Sequence, residues 1–230
     1  MRLAFHQAPI SKLGSSRTSA NATEHVVAVA ADERRGWLGT LVLLKSETAG
    51  GSMYNEVLSF WFEEIEAKMW WVADPSFDRQ IKARFHHILT QAAQGELFPW
   101  RKTPKGRLAE IIVLDQFSRN IFRHTPAAFA QDPMALVLAQ EAVGAGVQES
   151  LSAPECGFLL MPFMHSESRQ IHVVAEKLYR ELAPPHSYQF ELKHKVIIDR
   201  FGRYPHRNKI LGRTSSAEEI EFLTQPGSSF

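Results

Sequence analysis

Hydrophobic residues recur every three or four positions along most of the chain after residue 53, which is the period of an amphipathic α-helix. The clearest run is Phe77, Ile81, Phe85, Ile88 and Ala92, and Gly95 follows where a left-handed residue would end the helix. The same spacing predicts helices over 54–67, 104–123, 133–144, 154–162, 167–182 and 187–201. No segment alternates at a period of two, and no Asn-Gly or Asp-Gly hairpin signal is present. The pattern predicts an all-α fold.

Several predicted helix starts carry a capping residue followed by proline, the arrangement that favours the first helical turn. These are Asp74-Pro75, Thr103-Pro104, Thr125-Pro126 and Asp132-Pro133. Near the end of the chain, Ser215 with Glu218 is predicted to form a capping box. The starts at 75, 104 and 133 are evenly spaced, which is typical of stacked helical hairpins, but the later starts break the spacing. A degenerate helical array and an irregular bundle both fit.

Residues 1–52 differ from the remainder, because a polar stretch, SKLGSSRTSANATEH, precedes an isolated apolar patch, WLGTLVLLK. A signal peptide requires the apolar segment directly after a charged start, so this order excludes one. A transit peptide is one interpretation. The other, which we adopt, is that Met53 is the natural start and that 1–52 form a disordered or non-native extension. The expected organisation is then a single all-helical domain over 53–230.

Composition narrows the class of protein further. Lys plus Arg number 26 and Asp plus Glu 25, a formal net charge of +1, so we expect neither nucleic acid nor a membrane surface as a partner. The single cysteine, Cys156, excludes a disulfide framework within the chain and favours a reducing compartment, so we expect a cytoplasmic protein. We expect no cofactor and no metal. Cys156 lies among apolar neighbours and is expected to be an inert packing thiol.

The segment LDQFSRNIFR (114–123) places a group of polar residues at the end of an apolar helix. At about 100° per residue, these side chains fall within one arc of the helix: Asp115, Gln116, Arg119, Asn120 and Arg123. One interpretation is that the last turns line a polar pocket. The alternative is that the helix emerges into solvent, with Asp115 paired to Arg119 at i,i+4 and the arginines favoured by the helix dipole.

A second candidate region is RFGRYPHRNKILGR (200–213), which carries five formal positive charges and no acidic residue. Arg203, His206 and Arg207 lie on the predicted loop, where arginine would bind a carboxylate or phosphate as a bidentate fork. A solvated loop, or arginines paired with nearby acids, is the alternative.

Two further segments supply histidines. MPFMHSESRQIH (161–172) contains His165 and Glu167. His172 with Glu176 has the i,i+4 spacing of a metal chelate. The alternative interpretation of this segment is a helix start with Ser166 as its cap and an exposed His172. His194 lies on an apolar helical stripe, as a hydrogen-bonded core histidine or as a general base would. Motifs for nucleotide binding, serine hydrolases and zinc proteases are missing.

Taken together, VLSFWF, TPKGRLAEIIVLDQFSRNIFR, MPFMHSES and FGRYPHRNKILGRTSSAEEIEFL resemble the domain-of-unknown-function 924 family over about residues 54–230. The resemblance implies an all-helical fold similar to tetratricopeptide-type arrays, and it implies no established reaction. This chain departs from the family pattern at Ser118, where the family has proline, and at Tyr204, where phenylalanine is common. The Ser118 departure predicts a straighter helix through Arg123, and the Tyr204 hydroxyl would reach a ligand or solvent.

Three hypotheses for function follow. The first is a pocket that binds an anionic small molecule or a peptide end: Arg119, Arg123, Arg203 and Arg207 clamp the anion, Asp115 and Glu167 orient the guanidinium groups, and Asn120 and His206 donate hydrogen bonds. The second is an enzyme that uses His165, Glu167 and His194 for acid–base or metal-assisted chemistry. The third is a tetratricopeptide-like adaptor for other proteins.

Overall fold

The computed structural model of the protein describes residues 47–229, and the regular secondary structure in this range is entirely helical, with no β-strand. The α-helices are α1 (Glu47–Ser59), α2 (Pro75–Ala93), α3 (Pro104–Ile112), α4 (Ser118–Ile121), α5 (Asp132–Gly144), α6 (Ala153–Met164), α7 (Arg169–Leu182), α8 (Pro185–Phe201) and α9 (Ala217–Leu223). The all-α prediction is confirmed. In this range no helix combines the length and the apolar character that a membrane crossing needs.

The described helices belong to one compact unit, Glu47–Phe230. Helix α1 begins at Glu47, six residues before Met53, the residue predicted to be the natural start of the chain. The rest of the predicted extension, residues 1–46, lies outside the described residues. The boundary at Met53 therefore stays a prediction.

Two of the predicted capping residues begin their helices as expected. The Asp74 carboxylate accepts hydrogen bonds from the backbone N–H groups of Ser76 and Phe77, at 2.7 and 2.8 Å. The Thr103 hydroxyl accepts from the Gly106 N–H at 3.0 Å. Each bond satisfies a donor that the first turn of a helix would otherwise leave unpaired, so local sequence was sufficient to fix these starts.

Three other predicted starts differ from the structure. Asp132 is the first residue of α5 and not its cap, because its carboxylate binds two arginines instead. Thr125-Pro126 begins only a short 3₁₀ turn, Pro126–Phe129. The capping box is formed by Ser216 with Glu219, one residue later than the predicted pair. Since both positions are Ser followed three residues later by Glu, the motif alone could not choose the register.

The core lies where α1 and α2 pack against α3 and its continuation. Phe85, Phe117 and Phe60 are fully buried there, and the Phe85 and Phe117 ring centroids are 4.9 Å apart. Helix α3 contacts α1, α5 and α6. Strictly serial repeats would contact only their neighbours. A tetratricopeptide-like arrangement thus stays a prediction.

A π-helical turn, Val113–Phe117, joins α3 to α4. The π turn interrupts the regular α-helix that was predicted over 104–123, and α4 ends at Ile121. The helix therefore stops before Arg123, through which the Ser118 departure had predicted that it would run. The π turn holds Asp115 and Gln116, which are 1% and 8% exposed. Such turns place side chains where a regular helix would not, and they are common at functional sites.

Candidate ligand-binding site

The buried end of the π turn meets the ends of three other elements. Helix α6 ends at Met164 and leaves His165 as its C-terminal cap. Helix α5 begins at Asp132, and the loop that follows α8 contributes Arg207 from a 3₁₀ turn, Pro205–Arg207. The side chains that meet here form a group that we call the polar cluster: Asp115, Arg119, Asp132, His165 and Arg207.

Asp115 binds His165 on one side and Arg119 on the other. Its Oδ1 lies 2.8 Å from His165 Nδ1 and 3.3 Å from Arg119 Nη1, and its Oδ2 accepts a hydrogen bond from Gln116 Nε2 at 2.6 Å. The predicted i,i+4 pairing of Asp115 with Arg119 is confirmed. The contact between Asp115 and His165 spans 50 residues of sequence, so no local pattern pointed to it.

Asp132 binds both arginines of the polar cluster. Its Oδ1 and Oδ2 accept from Arg119 Nη1 and Nη2 at 2.8 and 3.0 Å, and Oδ2 also accepts from Arg207 Nη1 at 3.2 Å. The Arg207 guanidinium packs against two aromatic rings, 4.7 Å from the Phe129 centroid and 4.6 Å from the Tyr204 centroid. Such cation–π contacts restrain the guanidinium.

The Arg207 side chain is almost fully buried, yet few of its donors are used. Arginine has five N–H bonds. Among the described residues, the one hydrogen bond of the Arg207 side chain runs from Nη1 to Asp132, and its buried Nε has no hydrogen-bond partner. Burial and the neighbouring charge of Arg119 lower the pKa of Arg207. A buried donor on a charged group without an acceptor is unfavourable, so this atom requires an explanation.

Protonation in the polar cluster follows from its contacts. Burial raises the pKa of Asp115, but the charges of Arg119 and His165 outweigh it and hold that pKa well below its usual range. Burial, with Arg119, lowers the pKa of His165. At neutral pH, Asp115 is therefore a carboxylate and His165 a neutral imidazole. Its Nδ1–H donates to Asp115, and Nε2 carries the lone pair.

Tyr204 lies behind the polar cluster and is fully buried. Its hydroxyl donates to the Met164 carbonyl oxygen and lies 3.3 Å from His172 Nε2. The expectation that this hydroxyl would reach solvent is therefore wrong. The rings of His194 and His206 lie 5.8 and 5.6 Å from its ring, centroid to centroid. Burial lowers the pKa of His194 to about 3, and burial with Arg207 lowers that of His206 to about 4.

The remaining predicted site residues bind elsewhere, in separate ion pairs or to backbone. Asn120 and Arg123 both bind Asp78 of α2, with Arg123 Nε and Nη2 at 2.6 and 2.7 Å from its carboxylate. Arg203 binds Glu219 through two hydrogen bonds of 2.6 and 2.7 Å. The predicted clamp of four arginines is therefore not assembled in one place.

Glu167 and His194 also have partners of their own. Glu167 binds Arg213 at 2.6 and 2.9 Å and accepts from the Tyr204 N–H at 2.8 Å, so it orients Arg213 and not the predicted guanidinium groups. His194 Nδ1 lies 2.8 Å from the Phe190 carbonyl oxygen. His165 is the member of the predicted acid–base set that lies in the polar cluster.

His172 is fully buried, so the interpretation of it as an exposed side chain is wrong. Its Nδ1 lies 2.8 Å from Glu191 Oε1 and its Nε2 2.8 Å from the Ser166 carbonyl oxygen. Within residues 53–229, no group of three or more His, Cys, Asp or Glu side chains has the geometry of a metal site.

Sequence reasoning missed Asp132, Asp78 and Arg213 as partners of the predicted residues. Asp132 was visible in the sequence, but its place before Pro133 indicated a helix cap. No signal pointed to Asp78, which lies on the polar side of α2, 45 residues from Arg123.

Comparison with known proteins gives two matches. The family model described as "Bacterial protein of unknown function (DUF924)" matches residues 57–227. A solved structure of a protein of unknown function from Agrobacterium tumefaciens is 33% identical, with a TM-score of 0.72, and the match covers 75% of this chain and 97% of that one. No curated protein matches the chain.

Proposed function

The chain belongs to the DUF924 family, and we propose that it binds a small oxyacid, such as a carboxylic acid or a phosphate, at the polar cluster. The observation that carries this proposal is the buried Nε–H of Arg207, which lacks an acceptor among the described residues. A carboxylate or phosphate oxygen is the acceptor that a guanidinium favours most, because the hydrogen bond is assisted by charge.

The environment of Arg207 supports a ligand role over a purely structural one. An arginine that only joins two elements can bind a carboxylate through Nε and Nη2 together, as Arg123 does with Asp78 and Arg203 with Glu219. Arg207 instead shares the carboxylate of Asp132 with Arg119 and contributes one hydrogen bond. Its guanidinium is held by contacts with two aromatic rings and by Asp132, so it is positioned before any ligand binds.

The proposed site differs from the predicted clamp of four arginines in the residues that bind the ligand and in the positive charge that they present to it. Arg123 and Arg203 are already neutralised by bidentate carboxylates and are not expected to bind the ligand. One arginine with supporting dipoles suits one small acidic group, and not an extended polyanion such as nucleic acid.

The test observes the Arg207 Nε–H directly. Arginine Nε–H groups are detected by ¹H–¹⁵N NMR, and the Arg207 signal can be identified by its contacts with the Phe129 and Tyr204 rings. Formate, acetate and inorganic phosphate are titrated in turn. A saturable shift of this signal is expected for at least one of the three.

Two variants complete the design. Arg207→Lys should abolish binding, because lysine has no planar fork. Arg200→Lys is the matched control, since Arg200 is exposed and pairs with Glu218 on the surface. If none of the three acids moves the Arg207 signal, the donor is satisfied by water and the proposed function is wrong.

A further inference from the structure

The formal charges of the polar cluster cancel before any ligand binds. Arg119 and Arg207 carry two positive charges, and Asp115 and Asp132 carry two negative charges. The adjacent pair of Glu167 and Arg213 is also neutral. An added anion would therefore leave one uncompensated negative charge in a largely buried place, which is unfavourable. Either the anion does not bind, or a positive charge arrives with it.

His165 is placed to supply that charge. Its Nδ1 is held by the ionised Asp115 at 2.8 Å, whereas its Nε2 makes no hydrogen bond to any described residue. The side chain is 15% exposed, so the ring is close enough to solvent to exchange a proton. A carboxylate that orients one imidazole nitrogen also stabilises the imidazolium that forms when the other nitrogen is protonated.

We infer that His165 takes up one proton when the oxyacid binds to Arg207, so the site binds an anion and a proton together. This inference rests on the proposed function. In the step itself, one N–H bond forms at His165 Nε2, and one O–H bond breaks in the acid or in a hydronium ion of the solvent. No electrons are transferred. The bound state contains the oxyanion, the imidazolium and the original two ion pairs.

Several charged groups face His165 and set the balance. Asp115 from the π turn and Asp132 from α5 favour the imidazolium, and Arg119 from α4 opposes it. His194 from α8 and His206 from the loop also lie within electrostatic range. Burial is the largest cause of the lowered pKa of His165, and the charge of Arg119 is the next. An anion bound at Arg207 would offset part of the positive charge of the two arginines, so protonation of His165 and binding are coupled.

His206 is the rival proton acceptor, since it adjoins Arg207 in sequence. Burial and the adjacent charge of Arg207 lower the pKa of His206 to about 4, whereas the Asp115 carboxylate lies 2.8 Å from His165 Nδ1 and stabilises the imidazolium of His165. The geometry favours His165, and the experiment distinguishes the two.

Isothermal titration calorimetry with formate, acetate and inorganic phosphate counts the protons. Each titration is repeated at pH 7 in two buffers with different ionisation enthalpies, and the difference in heat gives the number of protons bound. The wild-type protein is expected to take up about one proton per bound acid, as linkage requires. His165→Gln should bind more weakly and take up none. His87→Gln, a change at an exposed histidine, is the control and should behave as the wild type.

A second measurement needs no variant. The ¹⁵N shift of His165 Nε2 reports whether that atom is protonated, and it should change on saturation with the acid at constant pH. If an acid shifts the Arg207 signal without proton uptake, or if uptake survives in His165→Gln or is lost only in His206→Gln, this inference is wrong while the proposed function stands. If no acid shifts the Arg207 signal and no heat is measured, the proposed function itself has failed.

Discussion

Replacing Asp132 with asparagine is expected to destabilise the protein by about 3 kcal/mol. Asp132 accepts three hydrogen bonds from two arginines, and its side chain is 16% exposed. Removing one partner of a buried ion pair costs about 3–5 kcal/mol, because the other charge is left without compensation. We take the lower end, since Arg119 keeps Asp115 and the Asp115 carbonyl oxygen.

The asparagine side chain cannot replace the carboxylate. Its Oδ1 accepts from one guanidinium, but its Nδ2 is a donor and faces the donors of the other. Asp132 also stands in the first turn of α5, where the loss of a negative charge removes about 0.3–1 kcal/mol of helix-dipole stabilisation. Arg207 is then expected to lack a carboxylate partner altogether.

Urea unfolding followed by far-ultraviolet circular dichroism measures the change. The midpoint should fall without a change in slope, and about 3 kcal/mol corresponds to a lowering of Tm by roughly 6–12 °C for a domain of this size. Asp199→Asn is the control, because Asp199 pairs with Lys195 at i,i+4 and is 46% exposed. That variant should lie within about 0.5 kcal/mol of the wild type. If Asp132→Asn is equally mild, the buried arginines do not depend on Asp132, and the reasoning is refuted.

The same variant separates stability from binding. Asp132→Asn removes a negative charge beside Arg207, so it should bind formate more tightly than the wild type although it unfolds more easily. The two effects have opposite signs, and general damage to the fold would weaken both. Weaker formate binding would contradict the assignment of Arg207 as the anion-binding group.

Three other measurements follow from the structure. The pKa of His206 is lowered to about 4 in the folded protein and is about 6.5 when unfolded. The unfolded state therefore binds more protons between these values, and the stability of the protein should fall as the pH drops through that window. His206→Gln should reduce this fall in the urea midpoint at acid pH, and an unchanged fall would show that His206 does not cause it. Tyr204→Phe removes the donor to the Met164 carbonyl oxygen and should cost about 1–3 kcal/mol in urea unfolding, so a neutral effect would mean that water replaces the hydroxyl. Burial raises the pKa of the Cys156 thiol, so a thiol-specific reagent should label it only in denaturant, and fast labelling of the native protein would contradict its burial.

The helices could be predicted from the sequence because their signals are local. The period of apolar residues and the caps at Asp74 and Thr103 depend on neighbours within a few positions, and the structure places these helices accordingly. The pairing of Asp115 with Arg119 could be predicted for the same reason, because it spans one turn. For the candidate site, the sequence could predict only the contacts between residues that lie on one such turn.

Partners across long stretches of sequence could not be predicted. The helical-wheel analysis placed Asp115 and Arg123 on one arc, but a π turn intervenes and α4 ends before Arg123. Arg123 turns to Asp78 on α2, whereas Asp115 meets His165 at the end of α6. Any exposed carboxylate in the chain was an equally good candidate for these arginines until the packing of the helices was known.

The neutrality of the polar cluster makes proton uptake the informative quantity. A cluster that only joins helix ends is most stable when its charges cancel, and it would not bind a small acid. A cluster that binds an acid must change its total charge, and Asp115 is held ionised while arginine does not lose its proton near neutral pH. Histidine is the side chain that can change charge there, and His165 belongs to the cluster, with its Nδ1 2.8 Å from Asp115. A measured uptake of zero with bound acid would therefore mean that no side chain gains a proton to compensate the bound negative charge, and the role inferred for His165 would be wrong.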